Sequence, residues 1–168
     1  MRVKKWVRKN NSAASDESTV YIDGVFEHHS WKFNGSIKEN NHLHVMDDQQ
    51  RIALLRVGAR HLKDEGPEVQ FYFGDHLGSS NVVIDGDRNF ISREEYFPYG
   101  ETSFGSFSKK RYRFAGKERD GESGLYYYGA RYLMSELGRW VSCDKLGHID
   151  STNLYIFVND NSIKNVDF

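Results

Sequence analysis

Residues 114–144 read FAGKERDGESGLYYYGARYLMSELGRWVSCD, and this stretch decides the fold. It holds two apolar-aromatic runs. The first is Leu125, Tyr126, Tyr127 and Tyr128, continuing through Gly129 and Ala130 to Arg131 and Tyr132. The second is Arg139, Trp140 and Val141, and turns rich in Gly, Asp and Glu flank both. Aromatic side chains favour pleated, half-buried surfaces, so both runs are expected to be strands. Gly124, Gly129 and Gly138 fall where the chain must bend or admit another backbone.

Toward the N-terminus the same pattern recurs as hairpins. Asp23-Gly24 stands between β-forming runs and predicts a two-residue type I′ turn. Asn34-Gly35 after Trp31-Lys32-Phe33 repeats the pattern. Residues 42–46 should meet 52–57 across 47–50. Residues 68–73 should lead through 74–80 into 81–84, and a turn at Asp85-Gly86 should send 89–97 back. No long stretch keeps a helical period. The expected fold is therefore all-β: antiparallel hairpin repeats wound into one curved sheet, with a C-terminal plug-like segment. One short helix is allowed at 151–159, where Ser151 or Thr152 would cap it. Such an array leaves an open edge at its N-terminal side, which calls for a covering strand or for self-association.

Composition narrows the function classes. The chain has 168 residues, one domain's worth, and a net charge of -1, so nothing points to a polyanionic partner such as nucleic acid. Aromatics reach 14%, which argues against global disorder, while 38% apolar residues is low for a self-sufficient core. The low figure fits a sheet with much exposed surface or missing neighbours. No run approaches membrane-spanning length, and the basic start MRVKKWVRKNN lacks the apolar stretch of a secretory signal. Cys143 is the only cysteine, so an intrachain disulfide is excluded.

The words FAGKERDGESGLYYYGARY and LGRWVSCD resemble the RHS repeat-associated core domain. That domain closes the β-shell of RHS/YD-repeat toxins, including the C components of insecticidal toxin complexes. The resemblance continues through Asn153, Leu154 and Tyr155 to Val166 and Asp167, and reaches back to YFGDHLGS at 72–79 and YFPYG at 96–100. VYIDGVFEHH and LHVMDD look like the last repeats before the core. This divides the chain into a loose or linker-like end at 1–18, YD-type hairpin repeats at 19–113 and a core segment at 114–168. The implied role is that of a shell-closing segment of a toxin carrier, without cofactors. Its implied partners are the remainder of the toxin-complex shell and an encapsulated toxin peptide. Export would be as part of a toxin complex, without a classical signal peptide, from a cytoplasmic precursor. A cell-surface carbohydrate-binding, adhesion or assembly module of an RHS/YD-repeat protein is the alternative.

In the family that this chain resembles, the core domain cuts its own backbone just beyond itself and frees the toxin. Matched word by word, the implied catalytic residues are Arg131, Asp144 and Asp167. Two carboxylates held close can share a proton, activate water and protonate a leaving amine, with an arginine holding one of them ionised. Read without the family, the same aspartates are turn residues and Arg131 an ordinary ion-pair partner. The family usually has proline where this chain has Lys145, and its cut lies several residues beyond Asp167. With Phe168 as the last residue, the expectation is a truncated form without toxin or scissile bond.

Other candidates are weaker. His28, His29, His42 and His44 lack a cysteine or a spaced carboxylate, so ordinary surface histidines are expected and no metal. His148 and Asp150 lie near Asp144 in sequence, but the family does not require them. Cys143 beside Asp144 is a poor nucleophile and reads as a small buried filler. The rings of Tyr96, Phe97, Tyr99, Tyr126, Tyr127, Tyr128, Tyr132 and Trp140 could stack on sugars, but packing is the simpler role.

Overall fold

The computed structural model describes residues 2–8, 16–48, 50–61, 66–105, 110–144, 153–165 and 167. Among these, nine strands pair in sequential order in one antiparallel sheet. They are β1 (Lys4–Val7), β2 (Glu17–Ile22), β3 (Phe26–Phe33), β4 (Ser36–Asp47), β5 (Gln50–Gly58), β6 (Val69–Gly74), β7 (Ser80–Ile84), β8 (Phe90–Tyr96) and β9 (Thr102–Gly105). A second, four-stranded sheet holds β10 (Glu118–Arg119), β11 (Tyr126–Tyr127), β12 (Tyr132–Met134) and β13 (Arg139–Trp140). The expected hairpins are the observed ones. Asp23 and Gly24 take φ of 51° and 72°, and the Val25 N–H donates to the Ile22 carbonyl at 3.2 Å, closing the type I′ turn. The β7–β8 turn differs in detail. It runs through five residues, and Arg88, not Gly86, takes positive φ. The Asp85 carboxylate accepts from the Asp87 and Asn89 N–H groups and holds the loop in place.

The two faces of the large sheet are unlike. Strand alternation sends Glu27, His29 and Trp31 of β3, and Asn40, His42 and His44 of β4, to one face. Gln70, Ser92 and Glu94 join this row, so the buried face is largely polar. The opposite face exposes Leu43, Val45, Ile52, Phe71 and Phe90. Residues 110–124 cross over the polar face, and together they enclose a cavity of about 760 Å³.

Ion pairs hold this strap down. Glu27 is 2% exposed and accepts from the Arg111 guanidinium and the Tyr112 hydroxyl, while His44 Nε2 lies 3.0 Å away. Burial alone would raise the Glu27 pKa, but Arg111 and the hydrogen bonds from His42 and His44 hold it well below the usual carboxylate range. Glu94 does the same further along, bonded to Arg113 and 3.1 Å from Lys110. The apolar core lies elsewhere. Phe114, Ala115, Tyr126, Leu133, Trp140 and Phe157 bury one another between the small sheet and the C-terminal tail. The rings meet edge-on, Trp140 to Phe157 at 5.0 Å and Phe114 to Tyr126 at 6.1 Å.

Three expectations need correction. The N-terminal end is not loose over its described residues: β1 pairs with β2, and Arg2 reaches Glu118 and Asp120 at 3.0 Å. A basic side chain gains more from buried carboxylates than from water. The 151–159 helix is not formed over its described residues. Ile156 bridges Arg139, the Asn153 side chain caps the Tyr155 N–H at 3.1 Å, and Val158, Asn159 and Asp160 all have positive φ. A left-handed run cannot continue a right-handed helix, and Tyr155, Ile156 and Phe157 prefer the pleat beside β13. Ser151 and Thr152 lie outside the described residues. Finally, Cys143 is exposed, since β13 has ended and the chain turns outward there.

Candidate functional site

The three residues named from the sequence come together, each delivered by a different element. Arg131 leaves the β11–β12 turn, where the Tyr128 N–H donates to the Arg131 carbonyl at 3.0 Å. Asp144 follows β13 and is pinned by its own N–H, which donates to the Leu154 carbonyl at 2.9 Å. Asp167 lies on the C-terminal segment whose described residues begin at Asn153. That tail is moored to the large sheet's β6–β7 turn, where His76 Nε2 meets the Ile163 carbonyl at 2.8 Å.

One guanidinium serves both acids. Arg131 Nη1 donates to Asp144 Oδ2, and Nη2 donates to Asp167 Oδ2 at 3.0 Å. Beneath it lies the Trp140 ring, 4.1 Å from the guanidinium carbon. The side chains of Asp144 and Asp167 are 31% and 32% exposed, against 15% for Arg131. The arginine is therefore the more buried member, while both carboxylates stay partly exposed. Charge-assisted bonds from one planar fork fix the carboxylates more tightly than contacts to separate donors would.

Two further groups border the site. Burial pushes the Lys117 ammonium pKa down, and nearby Asp167 opposes that shift. Its Nζ lies 5.0 Å from the Tyr128 ring. The Tyr128 hydroxyl is buried without a hydrogen-bond partner among the described residues, and burial raises its pKa. Neither was singled out from the sequence as part of the site. Their nearness to the GARY word was the available signal. Lys145, His148, Asp150 and Val166 lie outside the described residues.

Of the histidines expected at the surface, His42 and His44 are buried against Glu27. The aromatic residues divide. Tyr126 and Trp140 are fully packed, and Phe97 is exposed.

No family model matches the sequence. Individual proteins do. Toxin subunit YenC2 of Yersinia entomophaga is 31% identical over 173 residues, covering 95% of this chain and 17% of that subunit. Toxin subunit YenC1 of the same organism is 44% identical over 102 residues, covering 57% of this chain and 10% of the subunit. Among solved structures, TcdB2-TccC3 without its hypervariable C-terminal region superposes with a TM-score of 0.85 over 99% of this chain, at 28% identity. The chain is an RHS-type segment similar to these toxin-complex proteins. This RHS segment spans under a fifth of each of those relatives, 8% of the solved chain. It shares their antiparallel shell architecture. Among its described residues no helix is long and apolar enough to cross a membrane.

Proposed function

We propose that this RHS segment closes the wall of a toxin carrier and, in the intact parent, cuts the backbone beyond Asp167. The observation that carries the reading is the convergence of Asp144 and Asp167 on Arg131. In the proposed reaction one carboxylate takes a proton from water as the water oxygen attacks the scissile carbonyl carbon. The other carboxyl gives its proton to the amide nitrogen as the C–N bond breaks. Arg131 keeps the two acids in register and stays charged throughout.

The surroundings support the reading. The tail that carries Asp167 is packed by Phe157 into the apolar core, so chain continuing past residue 168 would leave from beside the acids. The solved neighbour is described as lacking a hypervariable C-terminal region, which fits variable cargo following a constant wall. The open edge of β1 would take a strand from the rest of the shell, and the polar cavity would face the enclosed toxin peptide. The carrier would be made in the cytoplasm and leave as part of the complex.

The test is a chain extended by the parent's downstream residues and followed by intact mass. It should convert to a product ending shortly after Asp167. Asp144→Asn and Asp167→Asn should each slow conversion by about 10²–10⁴-fold. Undiminished cleavage in the double variant would rule out the acid pair.

A further inference from the structure

We infer that Glu17, His29 and His61 form a binding site for a divalent transition metal, Zn²⁺ in particular, on the polar face of the large sheet. The three come from separate elements. Glu17 is on β2, His29 on β3, and His61 follows β5. Glu17 pairs with Trp31 across the ladder and Thr19 with His29, so period-two alternation places Glu17 and His29 on the same inner face. The chain leaving β5 then lays His61 over Trp31, with ring centroids 4.6 Å apart.

The geometry suits a small cation. One oxygen and two imidazole nitrogens lie within 4.8 Å of one another. His61 Nε2 is 3.5 Å from Glu17 Oε1, close to the ~3.3 Å edge of a tetrahedron of zinc ligands. His61 is 5% exposed, and the Glu17 side chain 12%. The three also line the 760 Å³ cavity, which leaves a fourth coordination position for water or a peptide donor. Two imidazoles and one carboxylate are a zinc ligand set, and Mg²⁺ or Ca²⁺ would demand more oxygen. The neighbouring pair His42 and His44 faces Glu27 instead, and the Arg111 and Arg51 guanidiniums meet their Nδ1 atoms. The metal would tie the β2–β3 hairpin to the chain leaving β5, at the inner wall near the β1 edge.

The test is calorimetric titration of the full chain with ZnCl₂, repeated with MgCl₂. Wild type should bind one equivalent of Zn²⁺ and no Mg²⁺. Glu17→Gln, His29→Gln and His61→Gln should each weaken Zn²⁺ binding at least ~10-fold. X-ray absorption of the zinc-loaded wild-type protein should show two imidazoles and a carboxylate at about 2.0–2.1 Å, and needs no folded variant. Absence of Zn²⁺ binding to wild type, or unchanged affinity in the His29→Gln/His61→Gln double variant, would overturn the proposal. An absorption spectrum without histidine would do the same.

Discussion

His44 shows how one buried side chain sets a pH response. Its side chain is fully buried, and burial pushes its pKa from 6.5 down to about 4, against the pull of Glu27. The folded protein therefore holds His44 neutral where the unfolded chain is protonated. Because the unfolded state binds the extra proton, stability falls as pH drops from 6.5 toward 4. Between pH 7 and pH 5 the expected loss from this residue is about 2 kcal/mol. Urea denaturation at the two pH values measures it, and His44→Gln should remove that part of the difference. A pH dependence unaltered in His44→Gln would show that other groups set it. Glu27 works in the same direction at lower pH, since its depressed pKa gives stability that is lost only on deep acidification.

At the scale of elements, most strands of the large sheet and their hairpin partners could be read from the sequence, while β1 and the side-chain contacts between distant elements could not. Asp23-Gly24 and Asn34-Gly35 announce turns because both positions need positive φ, which Asn, Asp and Gly tolerate. The two aromatic runs do hold strands, but the first breaks at Gly129-Ala130 into β11 and β12, and the second is β13. What stayed hidden was ionic. Nothing local marks Arg2 as the partner of Glu118 and Asp120, since more than a hundred residues separate them. The inner row Glu27, His29, Trp31 was not singled out, because which face of the sheet is buried depends on the strap at 110–124. Arg131, Asp144 and Asp167 were legible only through the family words, since spacing alone leaves them as turn residues. The tail at 153–159 misled because its apolar run suits a helix and a strand equally, and only β13 beside it decides. Arg2 also yields a prediction. Arg2→Ala would take one donor from each of two buried carboxylates, leaving Lys5 on Asp120 and the Tyr21 hydroxyl on Glu118, and would loosen the end of β1. It should cost about 2 kcal/mol and speed amide hydrogen exchange in β1. Unchanged exchange at residues 4–7 would mean that strand pairing alone holds β1.

Taken as a whole, the molecule divides its labour. The nine-stranded sheet supplies a wall with a polar inner face, and the small sheet with its tail supplies the apolar core. The exposed apolar row at Leu43, Val45, Phe71 and Phe90 fits a piece of a larger shell better than a free-standing domain. The core segment carries Arg131 and both aspartates on short strands and turns braced by Trp140 and Phe157, which gives the acids a rigid base. The proposed cut lies on the same chain as the acids and is expected to be intramolecular. The most direct measurement is the cleavage rate of the downstream-extended chain across a wide dilution series, for wild type and Arg131→Ala. The account predicts a first-order rate independent of concentration, reduced by about 10²-fold or more without Arg131. A rate that rises with concentration, or that survives Arg131→Ala intact, would contradict it.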